Sequence, residues 1–128
     1  MTDSARVLLI SDDEGLRYSR ELLLSYDGYD TESITSATAL PVSRVRSFDI
    51  AVVCRSVRPE RAMALADMLR RYNPEIQILC IRPLENRIAQ CAADMEIPSG
   101  PDIVLAAVHE LCDRKSIHKA SYAGSHHG

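Results

Sequence analysis

Val7-Leu8-Leu9-Ile10 is apolar at every position and then breaks into Ser11-Asp12-Asp13-Glu14. A strand with no alternation of apolar and polar residues is covered on both faces, and strands of that kind belong to parallel sheets flanked by helices. Phe48-Asp49-Ile50-Ala51-Val52-Val53-Cys54 repeats the pattern and exits into a loop over Arg55 to Pro59. Ile76 to Ile81, apolar but for Gln77, is another strand. One sequence feature thus narrows the fold to an α/β class.

The intervening segments carry helical periods. From Glu14, Leu16, Leu22, Leu23 and Tyr26 recur at helical spacing, and Gly28 stands where a C-cap takes a left-handed residue. Tyr29 to Thr35 alternates weakly and reads as an edge strand. Ala37 to Val45 reads as a short helix that Pro41 must open or kink. Glu60 to Tyr72 lines up Ala62, Met63, Leu65, Ala66 and Leu69 on one side, and Asn73-Pro74 ends it. A helix over Leu84 to Ala93, a strand over Met95 to Ile97 and a helix over Pro101 to Arg114 complete five β-then-α units. They predict a doubly wound parallel sheet with five helices on its two faces. Functional groups in such sheets lie at the carboxyl ends of the strands.

At 128 residues the chain holds one domain, expected over 1–115, with a flexible tail over 116–128 that contains Ser, Gly and His. Its net charge of −3 and 15 dispersed Lys and Arg residues argue against a nucleic-acid partner. No apolar run approaches the ~20 residues of a membrane span, and no signal-peptide core follows the start, so a cytoplasmic protein with no membrane partner is expected. Cys54, Cys80, Cys91 and Cys112 have no Cys-x-x-Cys spacing and read as reduced, buried thiols.

The two motifs Val7 to Glu14 and Phe48 to Val53, in this βα order, resemble the receiver domain of response regulators over residues 5 to 114. The resemblance implies a flavodoxin-like five-stranded parallel sheet in the order 2-1-3-4-5. It also implies an aspartate at the end of the third strand that takes phosphate from a histidine kinase, and an acidic pair, here Asp12 and Asp13, that holds Mg²⁺. Hard carboxylate oxygens suit that metal, which neutralises charge on the transferring group.

The acceptor position falls on Cys54, and no Asp or Glu occurs from Ile50 through Pro59. A thiol is a soft and usually protonated group, a poor replacement for a carboxylate on Mg²⁺. The family's fourth-strand hydroxyl is missing, because no Ser or Thr lies between Val57 and Pro98, and Cys80 takes its position. The fifth-strand lysine is missing too: the first Lys is Lys115, and Ile97 stands before Pro98, which matches the family proline that follows a cis bond. The family's aromatic switch residue has no counterpart between Tyr72 and Tyr122.

These residues predict a receiver-like signal-transduction module that acts by protein–protein contact and is not phosphorylated at the usual aspartate. Its partner would be a histidine kinase or another signalling protein, or a second copy in a homodimer. The contact face implied by the resemblance spans the helix over 84–93, the strand over 95–97 and the helix over 101–114. Two alternatives stand beside it: a conventional phosphorelay regulator with an unusual acceptor, and a thiol or ligand sensor centred on Cys54. No resident cofactor is expected beyond weak residual Mg²⁺ at Asp12 and Asp13, which read equally as a helix cap. Cys54 and Cys80 are expected at the ends of adjacent strands in one crevice, as space-filling thiols or as a redox pair. Arg55, Arg58, Arg61 and Arg82 read as a solvated rim or as a surface for an anion. His109 reads as a surface residue, and His126 and His127 as part of the tail. No nucleophile, base and oxyanion-hole set is present, so a stand-alone enzyme is not expected.

Overall fold

The structure is a computed structural model that describes residues 5–82 and 93–127. Its elements in chain order are β1 (Arg6–Ile10), α1 (Glu14–Tyr26), β2 (Asp30–Ile34), α2 (Val42–Val45), β3 (Ile50–Val53), α3 (Pro59–Tyr72), β4 (Gln77–Ile81), β5 (Met95–Ile97) and α4 (Pro101–His127). Cys91 and the helix expected over Leu84 to Ala93, except its last residue, lie outside the described residues; among the described residues four helices are seen. All strand pairs are parallel and the order is β2-β1-β3-β4-β5, as expected for the doubly wound sheet.

The unbroken apolar runs are covered on both sides. Leu8, Ile10, Ala51, Val53, Ile78 and Cys80 pack with Val45, Phe48 and the α3 residues Ala62, Ala66 and Leu69. The alternate residues Val7, Leu9, Ile50, Val52, Leu79 and Ile81 pack with Leu24 of α1 and with Val104, Val108 and Leu111 of α4. Successive strand residues point to opposite faces, so two helical layers bury every position. β2 forms the edge, half-buried, and its weak alternation follows from having one neighbour.

Local chemistry sets the helix ends. Asp13 caps α1 by accepting the Leu16 N–H at 3.0 Å, with Glu14 in the first turn. Gly28 ends the turn after α1 at φ +99°, a conformation that a Cβ would strain. Pro41 opens α2 from the N-cap position, so that helix is only Val42–Val45 and shorter than its sequence suggests. Pro59 stands at the start of α3 and Asn73 closes it, its side-chain amide donating to Val45 O and Phe48 O at 3.0 and 2.8 Å.

Two differences from the sequence pattern matter. α4 continues as helix to His127, past Arg114 and through the segment expected as a tail from residue 116. The apolar period ends near Leu111, but no proline follows Pro101 and Lys115, Lys119 and Ala120 favour helix. In α1 the inward residues are Arg20 and Leu24, with Leu16 and Leu23 half-buried, while Leu22 and Tyr26 are 52% and 97% exposed. The buried stripe runs through a charged residue, which an apolar count passes over.

Candidate functional site

The carboxyl ends of β1, β3, β4 and β5 form the end of the sheet where the resemblance puts an aspartyl-phosphate site. Ser11, wholly buried, turns the chain out of β1, and its hydroxyl lies 3.1 Å from that of Ser56 in the β3 exit loop. Ser56 Oγ also accepts the Asp12 N–H at 2.8 Å, which ties the two exit loops together. Asp12 and Asp13 are both exposed at this end, as their place after β1 requires.

Their carboxylates are engaged elsewhere. Asp12 Oδ1 accepts the Ser36 N–H and Oδ2 the Ser36 hydroxyl, both at 2.7 Å, so the side chain fastens the loop after β2. Asp13 Oδ1 caps α1. The third position of a magnesium site would be Cys54, which is wholly buried against the α1 and α4 face. A soft thiol, a cap and a carboxylate bound through both oxygens do not make the oxygen cage that Mg²⁺ needs, and this donor set does not fit the metal. Among the described residues no group of three His, Cys, Asp or Glu side chains is placed to hold a metal ion.

Cys54 and Cys80 do not share a crevice. Val53 is the register partner of Cys80, so Cys80 faces α3 while Cys54, one residue on, faces α1 and α4. Ile81 is therefore the β4 residue level with Cys54, and like Cys80 it has no hydroxyl. Adjacent residues along a strand point to opposite faces, which rules out a bond between the two thiols. Burial pushes the Cys54 thiol above its ordinary pKa, and the neighbouring Arg20 guanidinium and Ser11 hydroxyl offset this only in part. The thiol stays protonated at neutral pH. Ile97 is half-buried against the same face, and its carbonyl accepts the Arg82 N–H at 2.9 Å. The Ile97–Pro98 bond is trans, unlike the family's cis bond.

The arginines divide. Arg55, Arg58 and Arg61 are exposed, as expected of a solvated rim, but Arg82 is only 4% exposed and donates through Nη1 to Val57 O at 2.8 Å. Arg20 was not singled out by the sequence pattern. Only 6% exposed, it reaches from α1 to Ser99 Oγ at 2.7 Å, linking residues 79 apart, and faces the Cys54 thiol. Its spacing of four residues from both Leu16 and Leu24 was the available signal.

At the opposite end, His109 on α4 takes part in a chain of contacts with Nδ1 2.8 Å from Tyr29 Oη and Nε2 2.7 Å from Asp27 Oδ2. It is more than half exposed, as expected, and it joins α4 to the end of α1.

The chain is similar to several solved structures. One is the CheY-like response regulator receiver domain protein from Methanospirillum hungatei JF-1, at 20% identity and a TM-score of 0.71 over 91% of this chain and 99% of that one. The fold is that of a CheY-like receiver domain. A second receiver-fold match is a response regulator protein from Burkholderia pseudomallei, whose structure holds a phosphorylated aspartic acid, a calcium ion and citrate; it is 17% identical, with a TM-score of 0.65 over 91% of this chain and 74% of that one. A third is the adenylate cyclase from Rhodopirellula baltica, at 12% identity and a TM-score of 0.72 over 94% of this chain and 96% of that one. No protein-family model and no curated protein matches the sequence. Among the described residues no helix is long and apolar enough to cross a membrane.

Proposed function

We propose that this chain is a degenerate receiver, a signalling module that acts by protein–protein contact and takes no phosphoryl group at the usual aspartate position. The observation that carries the reading is the β3 exit. A wholly buried thiol beside an arginine stands where a carboxylate would have to stand, and no Asp or Glu occurs from Ile50 through Pro59. Phosphoryl transfer needs an accessible nucleophile and a cation that follows the moving charge. Here the nucleophile is absent, Asp12 and Asp13 are engaged by Ser36 and the α1 backbone, and Ile97 replaces the ammonium.

The same geometry disfavours both alternatives. A thiol sensor needs an accessible thiolate, whereas Cys54 is buried and held protonated. An unusual acceptor would have to be Asp12 or Asp13, and both carboxylates already serve structural roles. Contact with a protein partner is supported by Tyr18, Leu22 and Tyr26, exposed at four-residue intervals along α1 as an apolar stripe. A histidine kinase or another signalling protein, or a second copy of the chain, fits this class of partner, and no stand-alone enzymatic activity is assigned.

Incubation of the full chain with acetyl phosphate and Mg²⁺, read by intact-protein mass, tests the proposal. The expected mass is unchanged. A stoichiometric phosphoryl adduct that is labile to hydroxylamine, as acyl phosphates are, would overturn it.

A further inference from the structure

Among the described residues, two guanidinium groups at the carboxyl end of the sheet are buried with no ion-pair partner. Arg20 donates through Nη2 to Ser99 Oγ and lies against the Cys54 thiol, and its Nη1 is buried with no hydrogen-bond partner. Arg82 makes one side-chain hydrogen bond, to Val57 O, and its Nε and Nη2 are buried with none. Neither arginine enters an ion pair among the described residues. A guanidinium cannot lose its proton to escape the low dielectric, so burying one unpaired is costly in a way that a lysine or histidine could evade.

Both groups close on the same loop from opposite faces of the sheet. Arg20 faces the Cys54 thiol, and Arg82 holds the carbonyl of Val57, whose N–H is bonded to Cys54 O at 3.0 Å. Arg55 and Arg58 are exposed on that loop and add positive charge at its surface. The acidic pair after β1 is committed, Asp12 to Ser36 and Asp13 to the Leu16 N–H. Ser99, where the Arg20 guanidinium ends, is exposed, so an anion reaches the arginine by displacing one hydroxyl.

We propose that this end of the sheet is a metal-independent site for a small tetrahedral oxyanion, bound non-covalently by Arg20 and Ser99 on the α1 face. Arginine suits such a ligand because its planar fork of N–H groups matches two oxygens at once. A free inorganic anion and the phosphoryl group of a small ester share this chemistry. The inference does not depend on the absence of covalent phosphorylation, since a non-covalent anion leaves the protein mass unchanged.

The test is a titration of inorganic phosphate into the full chain with EDTA present and ionic strength held constant by exchange for chloride. The readout is the backbone amide signals of Arg20, Val57 and Ser99. Saturable shifts at these positions are expected, with affinity reduced about tenfold in Arg20→Gln, the size of one charge-assisted hydrogen-bond pair. Ser99→Ala is expected to weaken binding as well, while Arg82→Gln, on the other face of the sheet, is expected to leave it unchanged. A parallel titration with glycerol phosphate separates the sources: equal or tighter binding assigns a phosphomonoester, weaker binding the free anion. Shifts no greater than those with chloride, or an unchanged affinity in both Arg20→Gln and Ser99→Ala, would overturn the proposal.

Discussion

The two ends of the sheet treat charge in opposite ways. At the amino ends of the strands, Arg6 pairs with Asp30 at 3.0 Å and lies over the Phe48 ring at 4.7 Å, while its backbone N–H is accepted by Asp49 at 2.9 Å. Asp94 accepts the Ile78 N–H at 2.7 Å and pairs with Arg70 at 3.0 Å, and Asp27 Oδ2 lies 2.7 Å from His109 Nε2. At the carboxyl ends, none of the ion pairs among the described residues joins the exit loops, yet Arg20 and Arg82 are buried there. One end has its charges matched and serves stability. The other holds charge that is unmatched among the described residues, the kind of local cost that proteins keep where a ligand or partner is to be met.

The largest expected effect lies at the matched end. Asp94→Ala strips the acceptor from the partly buried Ile78 N–H and the partner from Arg70, and should cost about 2 kcal/mol in urea unfolding, the penalty of an orphaned buried donor. Replacing Arg20 by Met should have the opposite sign. An apolar side chain of similar length removes an unpaired buried charge and, in anion-free buffer, should stabilise the fold by about 1 kcal/mol. A loss of stability in that variant would mean that Arg20 is compensated, and the contrast between the two ends would fail.

Alkaline titration sharpens the comparison further. Burial raises the pKa of the Cys54 thiol, and burial with the neighbouring Cys112, Asp27 and Asp113 raises that of the Tyr29 phenol. Both groups are acids whose neutral form the fold prefers. Their contribution to stability is therefore fully present below the unfolded values, about 8.5 for a thiol and 10 for a phenol, and is lost as pH rises from these toward the folded values. Melting temperature should fall across that window, and Cys54→Ala should remove the part that begins near the thiol value. A flat profile from pH 8 to 11 would contradict the burial assigned to both groups. The smallest effect belongs to the exposed α1 stripe: Leu22→Ser and Tyr26→Ser should change stability by no more than about 0.5 kcal/mol, since neither residue is in the core.

The layered sheet was legible in the sequence because a strand covered on both faces has no alternative to an apolar run, and Val7 to Ile10 and Ile50 to Val53 are such runs. Asp13 as a cap and Pro59 and Pro101 as helix starts were legible for equally local reasons. What depends on strand register and on side chains crossing between elements was not. Cys54 and Cys80 end adjacent strands, but a register that pairs Val53 with Cys80 sends them to opposite faces. Asp12 binds Ser36, 24 residues away in another loop, and nothing in either neighbourhood announces the pairing. A charged residue on the apolar stripe of α1 looks like an interruption in the sequence, yet Arg20 is the stripe's deepest polar member.

The proposed arginine site leaves the acidic pair after β1 without a metal, and a magnesium titration followed at the amide signals of Asp12, Asp13 and Ser36 puts this to the test. With Asp12 held through both oxygens by Ser36, no saturable shift is predicted at any of the three up to millimolar Mg²⁺, and the Ser36 amide should keep its protection from exchange. A saturable shift at Asp12 and Asp13, accompanied by loss of protection at Ser36, would show that the acidic pair still opens to a metal and would contradict the account.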